Sequence, residues 1–185
     1  MKLLSAIKSR RSIMPSQYND LPIKDEQIKL MLEAANWAPT HKKTEPWRFK
    51  VLKGETKNKL GEFLAAKYKE HTPKFSAFKH KKIIEKAAKS SVLIVLCMQR
   101  DPLESIPEWE EIAAVSMSVQ NMWLMATELN IGSYWSSPKL ITYMDEFIPL
   151  NEGERCLGLF YMGNYDTEIN SRTPNPIEDK VRWFN

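Results

Sequence analysis

Apolar positions recur along the chain with two periodicities, which predict helices that alternate with strands. An apolar residue at every third or fourth position indicates an amphipathic helix, and a continuous β-branched run indicates a strand buried on both faces. The helical spacing predicts helices over 2–11, 25–38, 55–70, 76–89 and 109–130. The strand signal predicts strands over 47–53, 91–98 and 155–163, a turn at Gly54, and a tight turn or short strand over 131–138. Helical pieces are expected over 139–148, followed by an extended tail over 164–185.

The longest predicted helix, 109–130, is apolar on nearly every side. One face carries Ile112, Val115, Val119, Met122 and Leu129, and much of the rest carries Ala114, Met117, Leu124 and Met125. A helix of this kind must be covered on most of its circumference. The cover could be a partner subunit or the remainder of the same domain, and the pattern does not choose between them.

Strands separated by long helices predict an α/β or α+β sandwich in which helices cover a sheet. The 185 residues suit one domain, and the apolar fraction of 43% is close to the globular average. The chain shows no internal repeat and no long polar linker. We therefore expect residues 1–185 to form a single domain.

The net charge of +4 is concentrated in one segment. Residues 67–89 hold eight lysines but only two acids, Glu70 and Glu85. This pattern favours a solvated helical face over a nucleic-acid patch. Its positive field could still assist a phosphorylated cofactor such as NADP.

Several kinds of site lack their signatures. The sequence contains neither of the glycine-rich phosphate motifs and no nucleophile elbow. His41, His71 and His80 lie too far apart to predict a zinc site, and Cys97 and Cys156 lie in apolar runs typical of buried, reduced thiols. The N-terminus does not resemble a signal peptide, and no apolar run is long enough for a membrane span. We therefore expect a cytoplasmic protein without a metal centre.

Two polar segments could bind a ligand. Arg10-Arg11-Ser12 ends the first helix, and guanidinium groups with a hydroxyl suit a phosphate, although basic residues at a helix end also stabilise the helix dipole. The second segment is the loop between Ala38-Pro39 and Pro46-Trp47, which offers hydroxyls and cations beside a strand. Each segment alone could equally be a basic surface.

Taken in order, these segments resemble motifs of the nitroreductase family. The family has an Arg-[Arg/His]-Ser site, then an Ala-Pro loop before a Pro-Trp-x-Phe strand, here residues 10–12 and 38–49. A Gly-x-x-Trp turn after the long helix and a strand bounded by glycines match residues 130–135 and 158–163. The match covers nearly the whole chain. His41 and the segment 106–110 are similar to the small-subunit branch.

The resemblance implies a homodimer with FMN at the subunit interface. The residues implied to bind FMN are Arg10, Arg11 and Ser12 at the phosphate and ribityl chain, Trp37 and His41 from the other subunit, Trp135, Ser136 and Ser137 along the isoalloxazine, and Arg172 at the phosphate. The residues implied to border the nicotinamide nucleotide are Met125, Ala126, Thr127, Glu128, Leu129 and Asn130. No side chain is implied as a catalytic acid or base, because the flavin carries the chemistry.

The implied fold is an α+β sandwich with a central, mostly antiparallel sheet covered by helices and a long central helix at the dimer interface. The implied activity is hydride transfer from NADH or NADPH, through FMN, to nitro compounds, quinones or other small electrophiles. Two positions depart from the family pattern. Met14 replaces a basic residue at the pyrimidine edge, where Lys42 or Lys43 could supply the charge, and Ser136 stands where the branch tends to have arginine.

Two other interpretations stay open at the level of sequence. A flavin-binding protein of the same fold could catalyse another reaction, such as dehalogenation or flavin destruction. A basic nucleic-acid-binding or adaptor module could use residues 67–89, and it would show a steep salt dependence of polyanion binding.

Overall fold

The computed structural model describes residues 3–184, which form one four-stranded sheet between two layers of helices. The helices are α1 (Leu3–Ser9), α2 (Asp25–Asn36), α3 (Gly54–His71), α4 (Ala77–Lys89) and α5 (Glu108–Glu128). The strands are β1 (Trp47–Leu52), β2 (Val92–Gln99), β3 (Gly132–Ser136) and β4 (Glu154–Gly163). Short 3-10 helices cover Pro15–Gln17, His41–Lys43, Lys139–Glu146 and Glu178–Lys180.

The sheet has the strand order β1-β2-β4-β3, and every neighbouring pair is antiparallel. The central strand β2 is buried on both faces, as its continuous apolar run predicts. The β2–β4 register shifts beside Cys97, whose partner across the pair is Cys156. The antiparallel sheet expected from the family resemblance is therefore confirmed.

One apolar core lies on each face of the sheet. The first lies between the sheet, α2 and α5, and its fully buried members include Met31, Met122 and Phe160. The second lies between the sheet, α3, α4 and the 139–146 segment, and it includes Leu64. The alternation of side chains along each strand supplies both cores. This arrangement confirms the predicted helix-covered sandwich.

Helices α3 and α4 form a tightly packed pair on the second face. A Cβ atom added at Gly61 would lie 2.7 Å from the Ala87 Cβ, so the contact requires glycine. The Lys57 ammonium donates hydrogen bonds to the carbonyls of Ala87 and Ala88 at the end of α4, where the last carbonyls of a helix lack intrahelical partners. The burial of Lys57 lowers its pKa.

Most predicted elements are found within one to three residues of their expected ends. The helix predicted over 2–11 ends at Ser9, and residue 2 lies outside the described residues, as does residue 185 of the predicted tail. Gly54, predicted as a turn, has a φ of 53° and is also the first residue of α3. A glycine suits this bend because it adopts positive φ without a steric penalty.

Helix α5 is covered on one side only. Its buried residues face the sheet and α2, whereas Trp109 and Met117 on the opposite side are 67% and 40% exposed. Further exposed apolar side chains lie at the chain end, where Trp183 and Phe184 are 87% and 91% exposed. The fold of one subunit therefore covers only part of the apolar surface of α5, although the sequence pattern predicts that most of this helix is covered.

Candidate functional site

Three arginines from both ends of the chain converge beside α5. The Arg10 guanidinium carbon lies 4.5 Å from the centroid of the Trp123 ring. Burial lowers the pKa of Arg10, and the nearby positive charges of Arg11 and Arg172 lower it further. Like charges held together in this way are stabilised by an anion that binds between them. The cluster is therefore a candidate phosphate site.

The Arg11 side chain holds the two chain ends together. Its Nε atom donates to the Asn170 carbonyl at 3.1 Å, and its Nη1 atom donates to the carbonyls of Lys8 and Arg10. These bonds engage Nε and Nη1 of Arg11 with the backbone, so Arg10 and the exposed Arg172 are better placed to bind an anion. Ser12 is exposed next to them.

The segment that follows Ser12 is anchored to strands β3 and β4. The Ile13 amide donates to the Ser133 carbonyl at 3.0 Å. The Tyr18 hydroxyl lies 2.9 Å from the carbonyl oxygens of both Ile13 and Tyr161. Because these contacts fix the backbone beyond the arginines, the anion site lies at the β3 edge of the sheet.

Trp135 on β3 carries a buried donor that is left unpaired. Its Nε1 atom has no hydrogen-bond acceptor within residues 3–184, and neither has the buried Ser133 hydroxyl. A Cβ atom added at Gly158 would lie 2.1 Å from Trp135 Nε1, so the ring sits directly on the glycine backbone. Buried polar groups normally find a partner, so unpaired ones indicate a bound ligand or water. Ser136 is half-buried and Ser137 is exposed.

The cations nearest to Met14 come from α4. Lys82, Lys86 and Lys89 line a cavity of about 100 Å³ together with Met14. By contrast, the Lys42 ammonium donates to the Ser105 carbonyl at 2.8 Å, in the loop before α5. Within one subunit, the lysines beside Met14 therefore come from α4, which also contributes Glu85 to the same cavity. Sequence reasoning missed this because about 70 residues separate the two segments.

Trp37 and His41 lie at the opposite end of α5. His41 Nδ1 is 2.5 Å from Glu110 Oε2, and Trp37, which is 79% exposed, donates from Nε1 to Glu33. His41 also lines a cavity of about 270 Å³ with Trp109 and Met117. Glu110 and Trp123 are thirteen residues apart on α5, which is roughly 20 Å along the helix axis. The two predicted parts of the FMN site are thus separated within one subunit.

The predicted nucleotide segment is only partly accessible. Thr127 and Asn130 line a cavity of about 300 Å³ together with Arg11 and Asn170. Ala126 is fully buried, and Met125 and Leu129 pack against the first core, so these three side chains support the fold. Glu128 is exposed.

The described residues hold no metal-type cluster. No group of three or more His, Cys, Asp or Glu side chains within residues 3–184 could bind a metal ion. In the same part of the chain, no helix is both long and apolar enough to cross a membrane.

The chain is thus an α+β sandwich with a cluster of arginines beside its edge strand. A model of the family described as "Nitroreductase family" matches residues 7–164. The chain therefore belongs to the nitroreductase family, which is a family of oxidoreductases.

Individual relatives agree with the family match. The chain is 32% identical over 181 residues to "Putative NAD(P)H nitroreductase YfhC" of Bacillus subtilis, a match that covers 96% of this chain and 92% of the relative. A nitroreductase-like family protein from Bacillus cereus has 28% identity and a TM-score of 0.85, with 100% of this chain and 96% of that chain covered. A structure from Desulfovibrio desulfuricans, described as a "putative nitroreductase in complex with fmn", has 25% identity and a TM-score of 0.75, with coverage of 100% and 98%.

Proposed function

We propose that the protein is an FMN-dependent oxidoreductase that takes a hydride from NADH or NADPH and reduces small electrophiles such as nitro compounds or quinones. The observation that carries the proposal is the convergence of Arg10, Arg11 and Arg172 beside the β3 edge. The Desulfovibrio relative is described as an FMN complex, and the Bacillus subtilis relative is named for NAD(P)H. The whole chain would act as one FMN-binding domain, because a single sheet joins both helical layers.

The residues present fit FMN. Arg10 and Arg172 would bind the phosphate by charge-assisted hydrogen bonds, and the Ser12 hydroxyl would add a donor. Trp135, Ser136 and Ser137 would border the ring system. The lysines of α4 next to Met14 would provide positive charge at the ring edge. When bound, the flavin supplies two-electron chemistry between the nucleotide and the acceptor.

The protein would contribute binding, orientation and charge. Thr127 and Asn130 line the cavity beside Arg11, so they are the members of the 125–130 segment that could contact the nucleotide. A site that holds donor and acceptor in turn at one place gains its rate from proximity. This division of labour needs no catalytic acid or base from the chain.

We also propose a homodimer, in which the partner completes the site. Trp37 and His41 lie roughly 20 Å along α5 from the arginine cluster, so one subunit does not bring both to the same ligand. A two-fold axis across the exposed side of α5 would place the first half of the helix beside the second half of its copy. Trp109 and Met117 would then be buried, which explains their exposure in one subunit.

Removal of the arginine charge tests the cofactor site. Arg10→Glu should weaken FMN binding to the apoprotein by at least tenfold, since charge-assisted hydrogen bonds contribute roughly 1.5–3 kcal/mol each. Lys8→Glu is the matched control, because Lys8 is an exposed cation two residues away. Fluorescence titration with FMN gives both dissociation constants. Equal affinities of Arg10→Glu and wild type would refute the phosphate assignment.

A charge at the α5 surface tests the dimer. Met117→Glu should shift the protein to a monomer in analytical ultracentrifugation and reduce its FMN affinity, because a buried unpaired charge opposes association. Thr56→Glu is the control, since it adds the same charge to an exposed position of α3 on the other face of the sheet. A Met117→Glu protein that stays dimeric would contradict this interface.

A flavoprotein with another reaction is distinguished by its response to the nucleotide. The oxidoreductase loses its visible flavin absorbance when NADH or NADPH is added without oxygen. A protein for dehalogenation or flavin destruction would keep its colour under those conditions or lose the flavin itself.

A further inference from the structure

A wide groove lies between α3, α4 and the segment 138–143, on the face of the sheet opposite α5. Its volume is about 840 Å³, within the range of roughly 300–1,000 Å³ that is typical of small-molecule sites. The groove begins at Pro138, directly after Ser137 of the proposed flavin site. If FMN binds as proposed, the Pro138 end of the groove borders the flavin ring.

The walls of the groove are aromatic and apolar. Tyr143 stacks on His71 with ring centroids 4.4 Å apart and an interplanar angle of 10°. Tyr68, Ile83 and Leu140 complete the apolar lining. A flat ring gains dispersion and burial energy on such walls. The shape and lining thus favour a planar aromatic molecule.

The rim of the groove is positively charged. Lys79, Lys82 and Lys86 of α4 lie on one side and Lys139 on the other. No acidic side chain lines the groove, and within residues 3–184 none of the four lysines forms an ion pair. The nearby acids have partners: Glu85 pairs with Lys81 and Glu146 with Lys67. Glu70 pairs with Lys67 and lies 3.6 Å from His71, which lines the groove. Lys82 lies over the Phe78 ring and Lys86 over the Tyr134 ring. Four lysines without an acidic partner around an apolar groove attract an anion.

We propose that this groove binds a planar aromatic carboxylate and that such an anion is the electron acceptor, which rests on the oxidoreductase function proposed above. The ring lies between Tyr143 and the apolar wall, and the carboxylate lies at the lysine rim. For 4-nitrobenzoate, one hydride from NAD(P)H and one proton convert the nitro group into a nitroso group and release its oxygen as water. The α4 lysines, which sequence reasoning treated as a solvated face, thereby select the substrate.

The test compares one anionic and one neutral ligand of the same shape. Equilibrium dialysis measures the binding of 4-nitrobenzoate and 4-nitrobenzyl alcohol to oxidised, FMN-loaded protein. Lys79→Gln/Lys139→Gln removes a charge from each side and should weaken 4-nitrobenzoate binding by about twofold to thirtyfold, the range for two solvent-bordered ion pairs. The affinity for the alcohol should stay unchanged, and higher salt should weaken only the binding of the anion.

Lys81→Gln is the matched control, because Lys81 lies on α4, pairs with Glu85 and does not line the groove. It should bind 4-nitrobenzoate like wild type. Equal losses of affinity for both ligands in the double variant would overturn the proposal. So would a double variant that loses affinity for NADPH alone. So would tight binding of 4-nitrobenzoate without its reduction under turnover.

The groove proposal and the flavin-site proposal can be refuted independently of each other. FMN titration of the double variant should match wild type, since Lys79 and Lys139 do not line the cavity at Met14. If wild type takes up no FMN, the oxidoreductase function is wrong, and dialysis of the FMN-free protein still shows whether the groove prefers the anion.

Discussion

Replacing Tyr18 with phenylalanine removes the hydroxyl that links the proposed phosphate segment to the sheet. The hydroxyl lies 2.9 Å from two carbonyl oxygens, those of Ile13 and Tyr161. The ring itself packs against Gly163, where an added Cβ would lie 2.4 Å from it, so the phenylalanine ring should keep its position. The variant therefore isolates the hydrogen bond from the packing.

The size of the effect follows from the single hydroxyl proton. Only one of the two carbonyls receives a full hydrogen bond at a time, which contributes roughly 0.5–1.5 kcal/mol to folding. The carbonyl that is left unpaired in a buried place adds a desolvation cost, so we expect a loss of about 1–2 kcal/mol in the free energy of unfolding. Burial also raises the pKa of Tyr18, so the hydroxyl stays protonated at neutral pH.

Urea unfolding of the apoprotein, followed by circular dichroism, measures this loss without a contribution from bound cofactor. Tyr165→Phe is the control, because that ring packs in the same region and its hydroxyl makes no hydrogen bond within residues 3–184. FMN affinity should fall by a few-fold in Tyr18→Phe as the Ile13 segment loosens. A free energy of unfolding equal to that of Tyr165→Phe would refute the anchoring role.

Three further predictions concern the cores and the sheet. Phe160→Ala should lower the free energy of unfolding by about 3–5 kcal/mol in urea, because Phe160 is fully buried and meets Trp123 edge to face. Burial opposes ionisation of Glu154, yet hydrogen bonds from Lys50 and the backbone hold its pKa below its usual value. The ionised carboxylate therefore stabilises the fold above the unfolded-state pKa. Wild type should lose more stability than Glu154→Gln as the pH falls below about 5. The interaction between the two thiols raises the pKa of the buried Cys97 and lowers that of the half-buried Cys156, so iodoacetamide should alkylate Cys156 first, as peptide mass spectrometry would show.

The local periodicities of the sequence were sufficient to predict the elements and the sandwich. The unbroken apolar run of β2 and the helical spacing of α5 are signals carried by consecutive residues, and both elements are found where they were expected. The strand order could not be read in this way. It depends on contacts between distant segments, such as the pairing of β2 with β4.

For the candidate site, the sequence indicates residues but not how they are arranged in space. Motif order indicated Arg10 and Trp135, whereas the contacts of α4 with the Met14 segment are visible only in three dimensions. Conversely, Ala126 lies in the predicted nucleotide segment, but the sequence did not reveal that its methyl group is fully buried. The cytoplasmic location stays a prediction.

The central claim is that the chain binds FMN and uses it to oxidise NADH or NADPH. The most direct measurement is the visible absorption spectrum of the FMN-loaded protein, recorded without oxygen before and after NADH and then NADPH are added. An FMN-dependent oxidoreductase is expected to be yellow, to lose its visible flavin absorbance with at least one of the two nucleotides, and to regain it when an electrophile is added. A protein that takes up no FMN, or whose bound flavin keeps its absorbance with both nucleotides, would contradict it.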